Sequence, residues 1–363
     1  MTSTVVPPTA APTRPRLASF GPNWATSVMG TSVLATATAT LPVQVPGQRV
    51  LAVGVWLLAG LVLLAVGTAT ALHWHRHPAA ARGHLDDPVM AHSWGAPPMA
   101  LLAFGAATLL VGRDVVGLPA ALVLDVVLWS VGTVGGLVTL VLVPLRTRTR
   151  HATDSRSPSA GWLVPVVPPM VSAATGALLV PHAPDVLALP LLLACYAFVL
   201  VSLTASAVVL TLVARRTVRH GLPAAGAVPV LWVVLGPLGQ SITAVHTLGG
   251  QAPRVLPATV ADRLGALTLG FGLPVWTLAL AWAAFAATVT IRAARHGIPF
   301  SLAWWSFVFP VGTVVTGTSG LAEQTGSAAL TVAAVLAWLV LATAWATVAA
   351  RTAAGVGSGR LLH

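Results

Sequence analysis

Apolar residues dominate this chain in long runs, and polar residues are confined to short connections between them. A helix needs roughly 20 apolar residues to cross the hydrocarbon of a bilayer. Ten stretches approach or exceed that length: 24–41, 50–72, 88–112, 115–143, 162–180, 186–213, 225–248, 264–291, 302–320 and 328–350. The expected fold class is an all-α integral membrane protein. Residues 20–350 form a transmembrane domain of ten helices, flanked by a disordered tail (1–19) and a short tail (351–363). Turns such as QVPGQ, PHAPD and AEQTG tie successive helices into five hairpins.

Odd and even segments differ in their helix breakers. Pro97 and Pro98 fall inside the third segment, Pro165, Pro168 and Pro169 in the fifth, Pro229 and Pro237 in the seventh, and Pro310 in the ninth. Among even segments, Pro274 is the clearly internal one. Backbone groups freed by a proline are tolerated at membrane depth only where protein or a water-filled cavity satisfies them. The odd helices are therefore expected to form an inner ring around something polar, with Pro98, Pro169, Pro237 and Pro310 as helix-break candidates beside it. Prolines also recur near the starts of odd segments (Pro22, Pro88, Pro165, Pro223, Pro299), a weak fivefold repeat. Repeats commonly place a substrate path at their interface. Composition alone leaves open the simpler alternative that these prolines only bend packed helices.

Charge then sets the topology. Only 7% of the 363 residues are charged, against roughly 25% in soluble domains. The formal charge of +11 comes from 19 arginines and no lysine. Fifteen of these arginines, from Arg14 and Arg16 to Arg351 and Arg360, lie in one alternating set of connections; Arg49, Arg113, Arg254 and Arg263 lie in the other. That asymmetry follows the positive-inside rule and puts both termini in the cytoplasm of a plasma-membrane protein. It reads as membrane topology rather than as a nucleic-acid-binding surface. No cleaved signal is expected in residues 1–19, and Cys195, inside an apolar run, reads as a small buried hydrophobe.

Missing residues exclude several chemistries. Without lysine, a P-loop, a Schiff base and a Ser-x-x-Lys motif are impossible; with Glu323 as the sole glutamate, a His-Glu-x-x-His zinc site cannot be written. Neither enzyme activity nor a cofactor is expected. The cluster with metal-ligand chemistry is His73 and His77, one helical turn apart, near His84, Asp86 and Asp87. It suits a polar, partly cationic helix end at the membrane surface better than a metal site. The rival reading, a membrane enzyme working at the interface, would use this loop. Asp125 is the one formal charge in mid-span; it reads as a hydrogen-bonded structural acid ahead of a proton relay. His92, Gln240 and His246 are the polar members of odd helices and the candidates to face a path.

Three stretches carry a family resemblance: FGPNWATSVMGTSV from Phe20, LGPLGQSI from Leu235, and FSLAWWSFVFPVGTV from Phe300. Together they resemble the tellurite-resistance/dicarboxylate transporter family, which includes bacterial tellurite-resistance channels, fungal malic-acid and sulfite transporters and plant slow anion channels. The resemblance implies ten helices around a central pore, small anions as substrates and a homotrimer of independent pores. It also implies that the family's pore-occluding phenylalanine falls on Phe309, through the Trp-Trp-x-x-x-Phe-Pro run. On the residues alone, Phe309 reads as a core aromatic beside Pro310.

Overall fold

The computed structural model describes residues 17–150 and 157–362, so the expected tail over 1–19 lies almost wholly outside the described residues. Every regular element among them is helical. In chain order these are α1 (Ala25–Ala39), α2 (Gln48–Arg76), α3 (Pro78–Gly83), α4 (Ala96–Ala107), α5 (Arg113–Val116), α6 (Leu118–Arg150), α7 (Pro168–Gly176), α8 (Asp185–His220), α9 (Leu235–Val255), α10 (Ala258–Ala294), α11 (Phe309–Thr325) and α12 (Ala328–Gly357). Short 3-10 turns precede α1, α4, α7, α9 and α11, and a π turn at Thr108–Gly112 joins α4 to α5.

Seven helical runs are long and apolar enough to cross a membrane: Gln48–Arg76, Met90–Val116, Leu118–Thr149, Asp185–His220, Ala225–Val255, Ala258–Ala294 and Ala328–Gly357. The protein is a multi-pass membrane protein. The other three expected segments, around α1, α7 and α11, are helical but shorter or interrupted. Their breaks have a local cause. Proline cannot donate a backbone hydrogen bond, so it is tolerated best in a helix's first turn, where amides lack intrahelical partners anyway. Pro97 and Pro98 sit in the first turn of α4, Pro168 and Pro169 in that of α7, Pro237 in that of α9 and Pro310 in that of α11. These prolines mark where a 3-10 turn hands over to a fresh α-helix; they do not kink a continuous one. Conversely Pro144 and Pro190, not singled out from sequence, lie inside the continuous helices α6 and α8, as Pro274 does in α10.

Burial divides the helices into two layers. The apolar windows of α2, α6, α8, α10 and α12 are only 17–28% buried, whereas those of Met90–Val116 and Ala225–Val255 are 67% and 78% buried. α7 is buried along its whole length. The buried helices touch in a closed cycle: α1 packs on α4, α4 on α7, α7 on α9, α9 on α11, and α11 on α1. Each also carries an outer helix, α2 on α1, α6 on α4, α8 on α7, α10 on α9 and α12 on α11. Arginines gather toward the C-terminal ends of α6 (Arg146, Arg148) and α8 (Arg215, Arg216, Arg219), and Arg76 and Arg292 stand in the last turns of α2 and α10, where a cation also suits the helix dipole.

Side-chain donors bind the layers together. The indole N–H of Trp56 (α2) donates to Thr108, that of Trp129 (α6) to the Ser172 carbonyl, and that of Trp276 (α10) to Thr318, at 2.8–2.9 Å. From α12, Trp338 and Trp345 donate to Thr38 and Thr31 of α1. Ser202 of α8 serves the Val166 carbonyl just before α7 at 2.7 Å. Such bonds contribute roughly 1 kcal/mol each in a membrane protein. The π turn is held again from α2, because Arg49 donates to the Leu110 carbonyl while it pairs with Asp114 of α5 just beyond the turn. Gly132 and Gly136 of α6 admit Leu102 and Pro168, the close packing their spacing predicts.

Close approach is demanding where α9 crosses α11. A Cβ on Gly239 would lie 2.5 Å from the backbone of Thr313. Gly239→Val should therefore separate the two helices and destabilise the protein by at least about 2 kcal/mol; the check is the melting temperature and monodispersity of the purified variant against wild type.

Candidate functional site

Two cavities lie inside the cycle of buried helices. One, of about 50 Å³, is lined near the N-terminal ends of those helices by Thr26, Met29, Met99, Pro237, Trp305 and Pro310, among others. The second, of about 170 Å³, lies toward their C-terminal ends and draws its polar lining from Thr175, Gln240, Thr243, His246, Thr316 and Ser319. Phe309 lines both, and no other described residue does. It is the first residue of α11, it is 6% exposed, and the chain reaches it through Val308, where the 3-10 turn Leu302–Phe307 ends. A third concavity, about 430 Å³, is a shallow apolar groove on the outside, between Trp304, Phe307 and α12.

The linings are mostly apolar, with hydroxyls, Gln240 and His246 set into the larger one. Among the described residues no arginine borders either cavity, and Glu323 is the one formal charge, at the larger cavity. Hydroxyls bridge the wall: Thr243 and Thr316 share a 2.8 Å hydrogen bond across α9 and α11. The Ser319 hydroxyl is buried without a partner. The first turns of α9 and α11 border the smaller cavity, and neither helix has a side-chain cap. α9 continues from the 3-10 turn Ala225–Val234, whose carbonyls accept the Leu235 N–H, whereas the start of α11 at Phe309 brings the partial positive charge of a helix N-terminus to the site.

Of the residues expected from sequence, Phe309, Pro237 and Pro310 meet at the smaller cavity, and Gln240 and His246 meet Phe309 at the larger. His92 lies outside both; its Nδ1 is 2.9 Å from the Pro88 carbonyl and its ring stacks on Trp162. Pro98 is turned toward Gly135 of α6, and Pro169 is buried in the first turn of α7, outside both linings. Asp125 is fully buried against Gly105 of α4, and neither carboxyl oxygen has a hydrogen-bond partner, so the expected hydrogen-bonded structural acid is not what the structure holds. Trp305, Thr243, Thr316 and Ser319 were not anticipated. A signal existed for part of this set. Gln240, Thr243 and Thr247 recur along α9, and Thr316, Ser319 and Glu323 along α11, each a polar stripe of helical period on an apolar helix.

The histidine cluster lies apart from both cavities. His73 is buried, with Nδ1 2.7 Å from the Leu17 carbonyl, and its ring is stacked 5.2 Å from His84 and tilted 6.0 Å from His77. No group of three or more His, Cys, Asp or Glu side chains among the described residues is arranged to hold a metal. Burial, then the neighbouring His73, lowers the pKa of His84 against the opposing pull of Asp87.

The voltage-dependent anion channel family model matches residues 19–353. Among curated proteins, the chain is similar to the sulfite efflux pump SSU1 of Arthroderma otae, 27% identical over 93% of this chain and 90% of that protein. The pump of the same name from Trichophyton rubrum is 26% identical over the same shares. An uncharacterized transporter of Methanocaldococcus jannaschii, MJ0576, is 24% identical over 83% of each chain.

A lowered imidazole pKa means that the folded protein takes up this proton less readily than the unfolded chain. The contribution of His84 is therefore complete above about pH 6.5 and declines as pH falls below it, until the folded imidazole also protonates. Melting temperatures at about pH 7.5 and about pH 5.5 should fall less in His84→Gln than in wild type; equal falls would remove His84 from the pH response.

Proposed function

The chain belongs to the SLAC1/TDT family of voltage-dependent anion channels and transporters, and from that premise we propose that its cycle of buried helices encloses a gated path for small anions. Family and relatives are channels and transporters, not enzymes. The observation that carries the reading is the position of Phe309, a single ring that borders two cavities otherwise without a shared wall.

In this reading α1, α7 and α11, with the turns that lead into them, also cross the bilayer, giving ten crossings in five hairpins. Freed backbone groups at their breaks face protein or the lumen, which makes interruption tolerable. The arginine bias sets both termini and the smaller cavity on the cytoplasmic side of the plasma membrane. Arginines at that face concentrate anions, the N-terminal turn of α11 favours negative charge, and the ring of Phe309 forms an apolar constriction. A lumen without fixed cations holds an anion weakly and so lets it leave.

The same lining bears on substrate class. A C4-dicarboxylate would call for a paired cation at depth, and neither cavity has one. Repulsion from Glu323 grows with the charge of the anion. Monovalent inorganic anions, hydrogensulfite among them, therefore rank ahead of malate, and the likeness to sulfite efflux pumps weights sulfite. The resemblance read in the sequence adds a homotrimer with one path per subunit.

Flux from proteoliposomes, measured for chloride, nitrate, sulfite and malate with and without a proton gradient, tests the reading and separates passive from proton-linked movement. Phe309→Ala should raise flux of the preferred anion roughly tenfold, equivalent to about 1.4 kcal/mol off the barrier. An inserted, folded variant with unchanged flux would refute Phe309 as the gate.

A further inference from the structure

Buried indole N–H groups in this protein are nearly all spoken for, since tryptophans on the outer helices donate to hydroxyls and carbonyls of the inner layer. Trp304 also donates, to the Pro299 carbonyl at 3.1 Å. Its neighbour Trp305 does not. Trp305 is 3% exposed, its Nε1 is buried, and no acceptor is within hydrogen-bond reach. Trp94 shares that lack of a partner but borders neither cavity. Trp305 borders the smaller cavity, four residues before Phe309.

The position of the ring is imposed by its surroundings. The Cε3 and Cζ3 edge of Trp305 occupies the space that a side chain on Gly30 of α1 would fill, 2.7 Å from that Cβ position. A buried polar group without a partner is uncommon enough to need an explanation. An indole N–H can only donate, so whatever satisfies it must be an acceptor. A cation or an apolar ligand would leave it unmet; an anion would not. Thr26, also in the lining, cannot replace it, because its hydroxyl is committed to the Asn23 carbonyl at 2.6 Å.

We propose that the Trp305 indole N–H is a hydrogen-bond donor to the transported anion on the smaller-cavity side of Phe309, binding a halide or one oxygen of a small oxyanion such as sulfite. This rests on the anion-path reading above. The cavity of about 50 Å³ is small in the closed arrangement, so the N–H meets its anion as the ring of Phe309 moves aside. A neutral donor suits a conducting site, where binding must be favourable enough for the anion to enter and weak enough for it to leave. It also answers how a lumen without arginine can recognise an anion at all.

Trp305→Phe retains an aromatic ring over Gly30 and deletes the N–H. In proteoliposomes it should raise the half-saturating sulfite or chloride concentration roughly tenfold, with maximal flux and melting temperature close to wild type. Trp304→Phe should leave half-saturation unchanged. Separately, the 15N–1H indole resonance of Trp305 should shift as chloride or sulfite is added to purified wild-type protein. The resonance is assigned from its loss in Trp305→Phe or, if that variant does not fold, in Trp305→Tyr. Flux with unaltered half-saturation and a resonance that ignores anions would overturn the donor role while leaving the path intact. Wild-type protein that carries no anion would instead refute the path, and the titration would still decide whether Trp305 binds one.

Discussion

In hydrocarbon, a backbone amide or carbonyl without a partner is far more costly than in water, because nothing in the solvent can replace the lost bond. The architecture described here follows from breaking helices under that constraint. α4, α7, α9 and α11 each begin after a 3-10 turn, with prolines in their first turns that cannot donate a backbone hydrogen bond. Continuous helices can face lipid, and α2, α6, α8, α10 and α12 leave most of their apolar windows unburied. The layered plan thus separates helices that are complete in themselves from helices that require company. Tryptophan suits the junction between them, since its apolar body tolerates lipid while its N–H reaches inward to a threonine or a carbonyl.

Breaking the inner helices also supplies what the site uses. A helix start without a side-chain cap occurs at Phe309, where the 3-10 turn ends and α11 begins. The ring that borders both cavities is therefore anchored at the least regular point of its helix, next to a proline that fixes the backbone.

Much of this was legible in the sequence because lipid imposes a strong, one-dimensional signal. Apolar length and arginine alternation need no knowledge of which helix touches which. Proline placement was informative about the odd segments, but for a different reason from kinking: Pro98 and Pro169 belong to first turns that pack toward α6 or lie outside the cavities, whereas Pro237 and Pro310 border the smaller one. Sequence gives a proline's position along a helix, not the face it presents. The same gap accounts for His92, whose ring is engaged by Pro88 and Trp162. Trp305 was illegible for a further reason. The Trp-Trp pair is visible, but which indole lacks an acceptor depends on atoms of Pro299 and Gly30 brought alongside by the fold.

The π turn at Thr108–Gly112 amounts to one residue more than the α-helical count. A helix that takes in an extra residue shifts the phase of everything beyond it by about 100° around the axis. Arg49 grips that turn at Leu110 and the helix after it at Asp114, and Leu110 itself borders the larger cavity. The reading frame of the outer wall is thus set by a local overcount. Excising a single residue here would leave a perfectly good α-helix while rotating Asp114 out of reach of its arginine, so a length change that is neutral for helix formation would be misphasing for the wall.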